Sequence, residues 1–195
     1  MKYITKRVFL IRGWGGFPEE GWRPWLKNEL EKRGFAVSVP AMPDSEHPRM
    51  AAWLKQLKDT VGEPDKNCYF VSHSLGCVTI LRYLEALEDG QNIGGAVLVA
   101  GFTDMKITVA EDEDIRELST FFEREINFNE IKKRCGKFVA IHSDNDPFVD
   151  LRYAEIFQEK LGAKIVREKA RGHFSGDDGV RELPSALESV LQLVS

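Results

Sequence analysis

The sequence predicts an α/β fold, a mostly parallel sheet of about six strands with helices on both faces. Three observations carry this. Short runs of β-branched and apolar residues recur along the 195 residues, segments with apolar residues at helical spacing lie between them, and the two types alternate. Alternation of this kind is the pattern of βαβ units, in which each strand returns parallel to the last after a helical crossover.

The candidate strands are Arg7 to Arg12, Phe35 to Val39, Cys68 to Val71, Ala96 to Ala100, Lys137 to His142 and Lys164 to Arg167. The middle ones are apolar throughout, as expected for strands covered on both faces. Trp22, Trp25, Leu26 and Leu30 share one face of a first helix, which Gly34 follows at the place of a left-handed cap. Trp53, Leu54 and Leu57 mark a second helix, and Val78, Leu81 and Leu84 a third. A further helix runs from about Leu151 to Gly162, and Leu183-Pro184-Ser185 introduces a last one over Ala186 to Val194. The stretch 101–129 is less regular, with an acidic cluster at Glu111 to Asp114 and aromatics at Phe121, Phe122 and Phe128. A solvated helix and a loop over the carboxyl edge of the sheet would account for it. No repeat, low-complexity tract or linker divides the chain, so residues 1–195 are expected to form one domain.

Composition narrows the function classes. Hydrophobic residues at 43% and charged residues at 30% fit a globular chain rather than a disordered one. A net charge of -4 without a basic cluster gives no reason to expect nucleic acid or an anionic membrane as partner. The apolar run Val8 to Ile11 is too short for a signal-peptide core or a membrane span, which makes a cytoplasmic location the default expectation. Cys68, Cys77 and Cys135 are odd in number and lack C-x-x-C spacing, which argues for buried free thiols over a disulfide framework or a zinc site. No metal or other cofactor is expected.

In a parallel sheet, reactive groups gather on the loops at the carboxyl ends of the strands. After the third strand the chain reads Ser72-His73-Ser74-Leu75-Gly76, and a helical pattern follows at once. A serine at the apex of a strand, sharp turn and helix is the context of a nucleophile elbow, where small residues two positions away let strand and helix approach. Ser74 is thus the candidate nucleophile, and the Leu75 N–H at the start of the helix is a candidate donor to an oxyanion. Ser72 stands where the motif usually has its first glycine. A serine before an apolar-periodic run can also simply cap a helix.

A serine hydroxyl needs a base, and the base needs an anion to fix its tautomer. His173, in Arg171-Gly172-His173-Phe174 after the sixth strand, is the candidate base, and Ser143-Asp144-Asn145-Asp146-Pro147 after the fifth carries the acid. The order Ser74, Asp146, His173 is the one this type of elbow requires. Asp144 competes with Asp146. The proline after Asp146 favours the latter, because it holds the preceding residue extended at the end of the loop. His142 precedes the acid, His73 leaves the elbow in another direction, and His47 lies in the loop after the second strand. Gly13-Trp14-Gly15-Gly16 after the first strand offers the Trp14 N–H as a second oxyanion donor. It lacks the third spaced glycine of a dinucleotide fingerprint, and no acidic residue ends the second strand. Trp14, Phe17, Trp22, Phe102, Phe121 and Phe122 are candidates for an apolar pocket.

Together these residues resemble the compact α/β-hydrolases that include the retinoblastoma-binding serine hydrolase and YdeN-like bacterial proteins. The resemblance rests on Gly13 to Gly16, Met42-Pro43-Asp44, the helix near Trp53 and the elbow Ser72 to Gly76. It continues through Ala96 to Val99, Ile131-Lys132 with Cys135, Ser143 to Phe148 and Gly172-His173-Phe174. Ser72 and Arg12 depart from the usual hydrolase pattern. The resemblance implies a compact fold without a large cap, a triad of Ser74, Asp146 and His173, and cleavage of an ester or related acyl bond through an acyl-enzyme. The expected partner is a small acyl ester or amide. An amidase or aminopeptidase using the same groups, or a hydrolase scaffold that binds a protein partner, is the alternative.

Overall fold

A computed structural model describes residues 5–106, 116 and 118–195. Its centre is a six-stranded sheet made of β1 (Arg7–Ile11), β2 (Ala36–Ser38), β3 (Cys68–His73), β4 (Gly95–Val99), β5 (Phe138–Ser143) and β6 (Lys164–Glu168). All five pairings are parallel and the order is β2-β1-β3-β4-β5-β6. The helices whose residues are all described are α1 (Arg23–Glu31), α2 (Met50–Val61), α3 (Leu75–Glu85), α4 (Phe128–Arg134), α5 (Arg152–Leu161) and α6 (Pro184–Val194), with a short 3-10 turn at Ser119–Phe121.

The two-residue period of a strand sends alternate side chains to opposite faces, and two separate cores result. Phe9, Ile11, Phe70 and Leu98 pack with Trp53 of α2, Leu81 of α3, Ile131 of α4 and Phe157 of α5. Val8, Leu10, Val71 and Val97 pack with Leu26 of α1 and Val190 of α6. Both faces of β3, β4 and β5 are covered, which is why those strands carry no outward polar alternation. The edge strands β2 and β6 are partly exposed, and β2 pairs over only three of the five residues its sequence suggested. Gly162 ends α5 in the left-handed conformation expected of a cap, at φ 68°.

The helix α4 is the main addition to the sequence reading. Its cap is Asn127, whose side chain accepts the Glu130 N–H at 3.2 Å, and only Ile131 of its seven residues is buried. The acidic cluster Glu111 to Asp114 lies outside the described residues. Among those that are described, no helix is long and apolar enough to cross a membrane. The chain leaves β1 toward β2 on one side and then places β3 on the other, so strand order reverses between β1 and β3. The loops that end those two strands therefore diverge around a crevice.

Candidate active site

Ser74 fills the single position between β3 and α3. Its backbone is at φ 52°, ψ -123°, a conformation that costs a residue with a side chain about 1–3 kcal/mol. Close backbone contact holds it there. A Cβ built on Gly76 would lie 2.5 Å from the Arg12 carbonyl oxygen and 2.8 Å from that of Ile11, so α3 begins pressed against the end of β1. From the other side, a Cβ on Gly13 would come within 3.0 Å of Ser74 Cβ. Ser72 is accommodated because its buried hydroxyl has partners, the Val97 carbonyl at 3.3 Å and the Cys77 sulfur at 3.2 Å. Burial pushes the Cys77 thiol up to about 12, leaving it un-ionised at neutral pH. All three cysteines are free and buried.

The histidine loop is held in a different way. β5 and β6 run side by side to Ser143 and Glu168, which brings the two following loops together in register. Asp144 Oδ1 accepts the Ala170 N–H at 2.8 Å, Ser143 Oγ accepts that of Arg171 at 3.0 Å, and Asn145 Oδ1 accepts that of Gly172 at 2.9 Å. The next residue of the first loop, Asp146, meets the side chain of the next residue of the second, His173. Its Nδ1 lies 2.9 Å and 3.1 Å from the two oxygens of the carboxylate, and its Nε2 lies 2.9 Å from Ser74 Oγ. With Nδ1–H donating to Asp146, Nε2 is the acceptor for the serine hydroxyl. The Asp146 side chain is 1% exposed, and its Oδ1 also accepts the N–H groups of Phe148 and Val149. Asp178 braces the far side of the loop by accepting the His173 N–H at 2.9 Å.

The rival residues have other partners. Asp144 is spent on the Ala170 backbone. His142 is buried and donates from Nε2 to the Gly101 carbonyl at 2.9 Å. His73 donates from Nε2 to the His173 carbonyl at 2.7 Å, with ring centroids 4.9 Å apart, and burial holds its pKa well below the ordinary histidine value. It therefore acts as a neutral donor that ties the elbow to the histidine loop. His47 is exposed ahead of α2. Arg12, at the end of β1, is buried against Trp53 and donates to the Met42 carbonyl at 2.8 Å, while Trp53 Nε1 donates to that of Pro43. Arg12 and Met42-Pro43 are thereby parts of one brace that holds the loop after β2.

A cavity of about 500 Å³ opens over Ser74 and His173. Leu75 and Trp14 line it, Leu75 as the first residue of α3, whose N–H has no acceptor within the helix. The Trp14 indole is fixed by donating to the Glu46 carbonyl at 2.8 Å. Of the other aromatics expected in a pocket, Phe102 lines the cavity and the remaining four do not. Trp22 is buried in the α1 layer and donates to the Phe174 carbonyl, supporting the histidine loop from within. Phe121 is fully buried edge-to-face on Trp53, Phe122 is stacked on Phe102, and Phe17 is 62% exposed. Sequence reasoning missed Phe148, Val149 and Leu118, which do line the cavity. The first two directly follow Asp146-Pro147, and that adjacency is a signal that could have found them. Among the described residues, no group of three or more His, Cys, Asp or Glu side chains is placed to hold a metal ion.

Comparison with known proteins identifies relatives of this chain. The YdeN protein of Bacillus subtilis is 30% identical over 181 residues, covering 93% of this chain and 92% of that protein. The serine hydrolase RBBP9 of Rattus norvegicus is 28% identical over 189 residues, covering 96% of each. The crystal structure of the B. subtilis ydeN product superposes with a TM-score of 0.88 at 28% identity, over 97% of this chain and 99% of that one. Est1E from Butyrivibrio proteoclasticus shares the fold alone, with a TM-score of 0.73 at 15% identity over 97% of this chain and 88% of its own. The architecture is thus that of the α/β-hydrolases. The family model described as serine hydrolase matches residues 8–192, and the chain belongs to that family.

Proposed function

We propose that this serine hydrolase cleaves an ester or related acyl bond through an acyl-enzyme on Ser74. The observation that carries the reading is the unbroken chain of hydrogen bonds from Asp146 through His173 to Ser74 Oγ at the floor of a cavity. Ser74 Oγ attacks the acyl carbonyl carbon while His173 Nε2 takes the hydroxyl proton. The Leu75 and Trp14 N–H groups stabilise the oxyanion that develops, and the Asp146 carboxylate orients the imidazolium and balances its charge. His173 then gives its proton to the departing alcohol, leaving the acyl group on Ser74. Water attacks the acyl-enzyme, losing its proton to the same histidine, and the acid leaves as Ser74 regains its hydrogen.

Labelling with a fluorophosphonate tests the nucleophile directly. The wild-type protein is expected to take the label, and Ser74→Ala is expected to take none and to lose about 10⁴-fold or more of its kcat on a short-chain p-nitrophenyl ester. Equal labelling of the two proteins would refute the assignment.

A further inference from the structure

Phe148 is a large apolar side chain left 48% exposed on a turn whose backbone is firmly held. Its N–H donates to Asp146 Oδ1 at 2.9 Å, and the Val149 N–H donates to the same oxygen at 3.0 Å. The side chain does not fill a core. It borders the cavity that contains Ser74, with its ring centroid 5.2 Å from that of His173 and the planes at 81°. Lone exposed apolar side chains are ordinary on protein surfaces, and Phe17 is another. Phe148 differs from Phe17 in resting against the ring that would carry the proton.

Proton transfer identifies which half of a substrate lies there. His173 Nε2 must deliver its proton to the leaving atom, so the leaving group sits on the imidazole side while the carbonyl oxygen turns toward the start of α3. A side chain in edge contact with the imidazole therefore borders the leaving group. A half-uncovered aromatic ring on a held backbone is matched by a flat apolar group, since two rings in offset or edge contact gain more than their buried area alone. We propose that Phe148 is a specificity residue for the leaving group, and that preferred substrates carry an apolar ring, such as a benzyl group, in their alcohol or amine half. This inference rests on the reading of Ser74 and His173 as the attacking pair.

The test compares kcat/KM for the benzyl and methyl esters of one short acid. Their alcohols are of similar acidity, so the ratio reports contact with the ring rather than leaving-group chemistry. The wild-type protein is expected to prefer the benzyl ester by about ten-fold or more, Phe148→Ala to bring the ratio close to one, and Phe148→Tyr to retain the preference. Both esters form the same acyl-enzyme, from which the ring has already departed, so the loss in Phe148→Ala must fall on the rate of acylation measured in the burst. An unchanged ratio in Phe148→Ala, or equal losses in acylation and deacylation, would overturn the proposal. Fluorophosphonate labelling of the wild-type protein separates two failures. Absence of label removes the acyl-enzyme reading and this inference with it, whereas labelling with an unchanged ratio removes only the role of Phe148.

Discussion

The two loops that meet in the candidate site are held in place by opposite means. The elbow at Ser74 is held by shape: Gly76 and Gly13 allow close approach on either side, and the backbone of residue 74 is held at a positive φ of 52°. The loop carrying His173 is held by hydrogen bonds, with Ser143, Asp144 and Asn145 each capturing one successive N–H group from Ala170 to Gly172. Ala170 is itself at φ 53°, so these bonds also retain a strained residue. A joint made by shape tolerates no added atom. A joint made by several hydrogen bonds loses one member at modest cost, because water can replace a lost partner near the surface.

The largest effect should come at the point where the hydrogen-bonded loop becomes chemistry. Asp146→Asn keeps the size of the side chain but removes the charge that selects the tautomer of His173, so kcat is expected to fall about 10³- to 10⁴-fold with the fold preserved. Steady-state kinetics together with an unaltered urea midpoint would sharpen the contrast, and near-normal turnover would break it. Gly76→Val comes next and acts on stability. Its Cβ must displace the Arg12 and Ile11 carbonyls, and a loss of about 3 kcal/mol is expected in urea unfolding. A variant as stable as the parent would mean that the elbow is not under steric control. Asp144→Ala is the smallest. It removes one acceptor from the Ala170 N–H at an exposed position, for which about 1 kcal/mol and no more than a few-fold drop in kcat are expected. If it were as damaging as Asp146→Asn, the bonds of the loop would not be independent.

This contrast also explains what the sequence could reveal. The elbow is a local object, a strand, a serine between small residues and a helix within about ten positions, so its shape is written in consecutive letters. The six strands are legible for the same reason, as apolar runs that must be covered on both faces. The hydrogen-bonded loop joins residues 143–146 to residues 170–173, and their pairing depends on the register of β5 with β6, which no local pattern specifies. Hence Asp144 and Asp146 could be ranked from the neighbouring proline but not given their separate partners. The aromatics show the same limit. Trp22 and Phe121 lie in cores and Phe102 in the cavity, although all three sit in sequence near loops of the carboxyl edge. The short helix α4 escaped because its seven residues bury a single side chain, too few to show a period.

The turn around Asp146 has one more consequence. Its carboxylate takes hold of residues 148 and 149 through their N–H groups; the Val149 side chain is buried in the core, whereas that of Phe148 is left 48% exposed at the edge of the cavity. Every amino acid except proline offers the same N–H, so the cavity wall at position 148 is open to replacement while the acid keeps its anchors. A lineage or a designer seeking a new substrate could therefore vary the side chain at position 148 while Asp146 keeps its hold on His173, a separation of scaffold from selectivity built into a single turn.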